Sequence, residues 1–329
     1  MLLTLGYDMR APEFGASPAE LYSAALEQCE WGERVGFVSA TFMEHHATTD
    51  GYLPSPIVLA AAAAARTHRM IITIALMLLP LYEPIRAAED IAVLDLVAQG
   101  RLYLVVGGGY REEEYEQFGL SIADRPARME HAVKTLRLAW TGEPFDYEGR
   151  TVRVLPRPYR PGGPPIILGG TSKAAARRAA RIADGFVPST PKYFETYREE
   201  LARLGKPVPP PMSRDSVGPL FVHVSNDPER DWARIAPHAL HEMNDYALWA
   251  KGNPDYPYQP VRDIDELRAS GMYLVLTPDE CVEFARANEG LFVKPLMGGM
   301  APELGWESLE LIESKVLPHL GIVPATSPG

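Results

Sequence analysis

Glu44-His45-His46 is the first run in this 329-residue chain whose residue types could do chemistry. An imidazole titrates near neutrality, so a histidine beside a carboxylate can exchange protons with a bound ligand. Three readings stand: a metal site, a structural histidine, or an acid–base histidine whose tautomer the adjacent carboxylate fixes. Consecutive strand residues face opposite ways, so His45 and His46 chelate one metal only if the strand has ended. No further ligand cluster stands nearby in the sequence, and no metal is expected. His68, His131, His223, His238, His241 and His319 lack companions and read as surface or satisfied histidines.

Two glycine runs come next. Gly169-Gly170-Thr171-Ser172 reads as a turn between a strand and a helix, where backbone N–H groups, the helix dipole and two hydroxyls favour a phosphate. Lys173 adds a positive charge. The plain reading is an ordinary helix cap, and the ending of a P-loop is absent. Gly107-Gly108-Gly109 lets a flat cofactor lie against bare backbone, or else marks a loop that needs positive φ. Glu112-Glu113-Glu114 reads as the solvated first turn of a helix.

The elements that must carry these runs alternate along the chain. Strand-like segments fall at Leu2–Tyr7, Phe37–Met43, Met70–Leu79, Leu102–Val106, Ile166–Leu168, Gly185–Pro188, Leu220–Val224 and Leu291–Met297. Each is followed by helical material, often opened by a cap such as Ser17-Pro18-Ala19-Glu20. Eight such units either close into a barrel or form a doubly wound sheet; the preferred reading is an α/β fold, a (β/α)8 TIM barrel with insertions, with residues 1–329 as a single domain. The insertions are a hairpin at about 143–165 and a lid-like segment at about 226–290. Active sites of such barrels gather at the C-terminal ends of the strands, where the candidate residues stand.

Composition narrows the partners. The net charge is −11, which argues against nucleic acid and against anionic membrane surfaces. The apolar stretch Met70–Leu79, interrupted only by Thr73, is about half of what spans a bilayer. Two cysteines, Cys29 and Cys281, build neither a disulfide framework nor a thiolate metal site, and no signal peptide is seen. A cytoplasmic protein is expected.

Read together, the strand ends resemble the luciferase-like flavin oxidoreductases, the superfamily of bacterial luciferase. The resemblance runs from Phe37 to about Ser189. It includes Glu44-His45-His46, Pro80-Leu81-Tyr82-Glu83-Pro84-Ile85-Arg86, Gly107-Gly108-Gly109-Tyr110, Trp140-Thr141-Gly142-Glu143-Pro144, Gly169-Gly170 and Arg178–Gly185. Beyond Asn226 only the order of elements is shared.

That resemblance implies a barrel binding reduced FMN noncovalently, commonly as a homodimer. His45 matches the active-site histidine, with Glu44 and His46 beside it. A bulge with a cis peptide under the flavin ring would fall at Ala75-Leu76. The phosphate would sit at Gly170, Thr171 and Ser172, with Gly108, Gly109 and Tyr110 completing the cofactor site. Many FMN-using members carry Arg where this chain has Gly108, and Arg111 is the nearby substitute. The activity implied is a monooxygenase using reduced FMN, supplied by a separate flavin reductase, and O2 on a small apolar organic substrate. Met43, Leu78, Tyr82, Tyr110 and Trp249 would line its pocket. The alternatives are a hydride-transfer oxidoreductase using the deazaflavin F420, and a noncatalytic flavin-binding protein.

Overall fold

The computed structural model describes residues 1–209, 221–251, 256 and 258–322. Eleven strands occur among them: β1 (Leu2–Tyr7), β2 (Ser39–Phe42), β3 (Ile71–Met77), β4 (Leu102–Val106), β5 (Phe145–Tyr147), β6 (Arg150–Val152), β7 (Ile166–Gly170), β8 (Gly185–Pro188), β9 (Phe221–Val224), β10 (Tyr273–Leu276) and β11 (Gly290–Val293). Seven form one parallel sheet in the order β11-β1-β2-β3-β4-β7-β8. A parallel pair, β9–β10, packs beside β11. The whole is an α/β barrel with insertions, and β5–β6 is the expected antiparallel hairpin.

Local sequence explains the alternation. Helix Pro18–Val35 opens on a capping box of Ser17 and Glu20 and closes at Gly36, whose φ of 109° favours glycine. Thr277 and Glu280 repeat the box ahead of helix Pro278–Ala287. In β3, Ile72, Ile74 and Met77 are buried in the core, where they pack with Leu3, Leu5, Leu102 and Leu104. Each wholly buried Leu or Ile contributes roughly 1.5–3 kcal/mol of apolar transfer.

Three details depart from the sequence reading. Tyr273–Leu276 is a ninth parallel strand in a stretch read as helix and loop; four residues are too short for alternation to declare itself. The strand at Phe37–Met43 stops at Phe42, and the last strand stops at Val293 rather than Met297. Leu220, expected to open the seventh strand, and part of the lid-like loop after Trp249 lie outside the described residues. No described helix is long and apolar enough to cross a membrane.

Candidate active site

The ends of β2, β3, β4 and β7 converge on a cavity of about 370 Å³. Among its lining residues are Glu44, His45, Ala75, Leu76, Gly108, Gly109, Tyr110, Gly170, Thr171 and Ser172. Nearly every residue singled out from sequence therefore meets in one place. His46 turns away: its Nε2 pairs with Glu44 Oε1 at 2.7 Å, and its ring lies edge-on to Phe118.

The partner of His45 is a correction. The carboxylate beside it in sequence, Glu44, accepts from His46, from the Leu78 N–H at 2.8 Å and from the Tyr82 hydroxyl at 2.9 Å. His45 is held instead by Glu114, with Nδ1 2.7 Å from Oε1. The same oxygen accepts from the His46 backbone N–H at 3.1 Å. Glu114 is fully buried, whereas sequence placed it with Glu112 and Glu113 in a solvated turn. All three sit in the first turn of helix Glu112–Gln117, but the third faces the barrel. A carboxylate only accepts, so Nδ1 carries the hydrogen and Nε2 is left as the basic nitrogen. Burial lowers the pKa of His45 below the ordinary imidazole value, with Glu114 pulling the other way.

Strand β3 supplies the floor. The Ala75-Leu76 peptide is cis, as the resemblance implied, and the register against β4 shifts between Ala75 and Met77. Leu76 is left partly exposed and lies across two glycines. A Cβ on Gly169 would stand 2.5 Å from Leu76 Cδ2, and one on Gly107 2.9 Å from Leu76 Cδ1. A side chain at either position would push the end of Leu76 aside. Gly169 and Gly170 are the last residues of β7, paired with Val187 and Pro188, so the turn itself is only Thr171-Ser172. Ser172 caps helix Lys173–Ile182 by accepting from the Ala175 N–H.

Arg111 also needs correction. It is buried, donates to the carbonyls of His46 and Ala47, and stacks 4.3 Å over Trp249. It holds the histidine loop and does not line the cavity. The arginines that do are Arg125 and Arg178. Arg178 is tied to Glu130 at 2.9 Å. Arg125 has no ion-pair partner among the described residues and stands 3.5 Å from where a Cβ of Gly108 would be. Sequence reasoning missed it because it opens a helix 17 residues beyond Gly108, outside any local motif.

The remaining wall is aromatic: Tyr52, Tyr110, Tyr246, Tyr256 and Tyr258. Trp249 and Tyr82, expected to line the pocket, do not; Trp249 packs behind His45 with ring centroids 4.9 Å apart. Behind this wall Arg10 is wholly buried, pairing with Asp50 and, at 2.9 Å, with Asp245. His241 donates into the same cluster, 2.9 Å from Asp50, and is thus a satisfied histidine whose partner lies 191 residues away in sequence. Asp50, His241 and Asp245 bring ligand-type atoms within 4.8 Å of one another, but the Arg10 guanidinium already supplies the positive charge there. Deeper still, Lys294 pairs with Glu242 and, at 2.8 Å, with Asp8. Burial raises Glu242 to about 7 against the pull of Lys294.

A family model for luciferase-like monooxygenases matches residues 8–294. An uncharacterized Sinorhizobium fredii protein, y4vJ, is 33% identical over a match covering 50% of this chain and 48% of its own. The F420-dependent glucose-6-phosphate dehydrogenase of Nakamurella multipartita is 29% identical, covering 97% of this chain and 96% of its own. Among solved structures, the chain is similar to the oxygenating constituent of 3,6-diketocamphane monooxygenase from Pseudomonas putida, a type II Baeyer-Villiger enzyme in complex with FMN. That likeness has a TM-score of 0.70 at 20% identity, covering 97% of this chain and 98% of the other.

Proposed function

This chain belongs to the luciferase-like monooxygenase family, and we propose that within it the protein is a monooxygenase using reduced FMN and O2 on a small neutral organic substrate. The observation that carries the proposal is the His45–Glu114 pair, set at the edge of a cavity whose other parts suit a flat ring with an anionic tail. Leu76 and the bare backbone of Gly107 and Gly169 leave a thin, apolar bed. Arg125, the Thr171 and Ser172 hydroxyls and the start of helix Lys173–Ile182 would hold a phosphate. Arg125 takes the part that sequence gave to Arg111.

Reduced flavin, when bound, supplies the electrons that O2 needs, and a separate flavin reductase would deliver it. The chain's own residues do the rest. Glu114 fixes the tautomer of His45, and Nε2 takes or returns a proton at the reacting oxygen. The lowered pKa keeps that nitrogen unprotonated at neutral pH. Tyrosine rings exclude water around it, which strengthens each polar contact inside.

A second reading, hydride transfer with F420, is favoured by the full-length match to an F420-dependent dehydrogenase. Anaerobic titration with reduced FMN and with reduced F420, followed by admission of O2, separates the two. Binding of FMN with O2-dependent oxygenation of a neutral organic compound is expected. Binding of F420 alone, with turnover that consumes no O2, overturns the first reading in favour of the second.

A further inference from the structure

Tyr52 and Tyr246 both line the cavity, and their hydroxyl oxygens are 2.7 Å apart. Two hydroxyls carry two hydrogens, and the bond between them uses one. Neither oxygen has another hydrogen-bond partner among the described residues, so one phenolic hydrogen is left without an acceptor. A buried donor of this kind is costly to leave unmet. Arg10 lies 4.9 Å from the Tyr52 ring and 4.7 Å from the Tyr246 ring, and a guanidinium cannot accept the hydrogen. Burial raises Tyr246 to about 12 and Tyr52 well above the ordinary phenol value, with Arg10 acting in the opposite direction, so both hydroxyls keep their hydrogens.

The position fits a substrate. The Tyr52 ring meets the His45 ring edge-on at 4.8 Å, and the Tyr246 ring is 6.0 Å from it. The cations that line the cavity, Arg125 and Arg178, belong to the Gly108 and helix Lys173–Ile182 side. Arg10 stands behind the tyrosine rings and does not line the cavity, and its charge is met by the carboxylates of Asp50 and Asp245, both through Nη1. Among the described residues, no lysine or arginine lines the cavity at its tyrosine end to meet an anionic substrate.

We propose that the Tyr52–Tyr246 hydroxyl pair is the subsite for the oxygen of a neutral carbonyl compound or the matching alcohol, held beside His45. The spare hydrogen donates to that oxygen, and the surrounding rings cover its hydrocarbon part. The proposal rests on the cavity being the active site, and it holds for either cofactor.

The test is calorimetric titration of the chain as purified with cyclic ketones of increasing ring size. Each ketone is compared with its exocyclic-methylene isostere and with a carboxylate of similar size. At least one ketone should bind about tenfold or more tightly than its isostere, because only the ketone meets the donor. Tyr52→Phe and Tyr246→Phe each leave one hydroxyl and should weaken the preference; the double variant should erase it while keeping every ring. No ketone preferred over its isostere, a carboxylate bound most tightly, or a preference intact in the double variant would each overturn the proposal. Titrating the same proteins with FMN and F420 separates this outcome from the cofactor reading. Loss of both cofactors in the wild type would sink the flavin assignment, while the ketone preference is judged by itself.

Discussion

Nδ1 of His45 lies 2.7 Å from Oε1 of Glu114, a residue 69 positions further along the chain. The loop after β2 and the short helix after β4 are thereby joined by one carboxylate, which also receives the backbone N–H of His46. Glu114 both aims the imidazole and opposes the effect of burial on it.

Replacing Glu114 by Gln should therefore lower kcat by about 10²-fold with little change in cofactor affinity. The direction of the pH effect follows from the same contact. Glu114 raises a pKa that burial depresses, so without its charge the His45 titration moves to still lower pH. An NMR titration of the His45 ring in both proteins measures this; an upward or absent shift would show that Glu114 does not control the imidazole. In the wild type, His45 protonates in the unfolded chain before the folded one. Its contribution to stability is thus complete above the ordinary imidazole pKa and is lost as pH falls through the depressed one.

Arg125→Ala should weaken FMN by about 10- to 100-fold, the loss of a charge-assisted hydrogen bond, and leave riboflavin unaffected. Fluorescence titration with both flavins checks it. Equal losses for the two would place Arg125 away from the phosphate. Arg111→Ala should behave differently and lower Tm, because it frees the His46 and Ala47 carbonyls from a buried donor.

Gly169→Ala places a methyl 2.5 Å from Leu76 Cδ2, and the end of that side chain can yield. The fold should survive with a loss of about 1–3 kcal/mol, while the displaced leucine obstructs the flat bed and cofactor binding falls. At Gly305 a Cβ would meet the Pro295 carbonyl oxygen at 2.2 Å, where only backbone can move. Gly305→Ala should cost more in Tm and spare the cofactor in whatever protein remains folded. Thermal melts with and without FMN distinguish the two patterns.

The Asp8–Lys294–Glu242 group should give stability a dependence on pH. Glu242 is raised above its ordinary value to about 7, so its contribution is complete below the ordinary carboxylate pKa and is lost as pH rises through 7. Glu242→Gln should flatten that decline. Lys294→Met should cost about 3–5 kcal/mol at pH 8, because two buried carboxylates then face each other unpaired, and less at pH 5. Urea unfolding at the two pH values reads the difference; an equal cost at both would place the proton elsewhere.

Much of this was legible in sequence. Alternation and caps pointed to the barrel and its hairpin, the strand ends drew attention to His45 and the glycines, and the Ala75-Leu76 bulge came only from the family resemblance. What stayed hidden were relations between distant segments. Glu112, Glu113 and Glu114 look alike in a row, and only the rotation of their short helix decides which one is buried. Arg125 and Arg111 are both basic residues near the same glycines, and the choice between them depends on how a helix returns to the rim. Glu44 stands next to His45 yet serves His46, since neighbouring side chains in extended backbone diverge. The tyrosine wall draws on Tyr52 from one loop and Tyr246, Tyr256 and Tyr258 from a segment some 200 residues later, a meeting that no periodicity announces.

That division of labour has an evolutionary consequence. His45, Glu114, Leu76 and the glycine ends all precede Thr171, whereas three of the five tyrosines come from the excursion between β9 and β10. If the tyrosines hold the substrate as proposed, grafting that excursion between cousins would trade one molecular menu for another and leave the redox engine as it was. A lineage built this way can diversify its diet by rewriting a single stretch of gene.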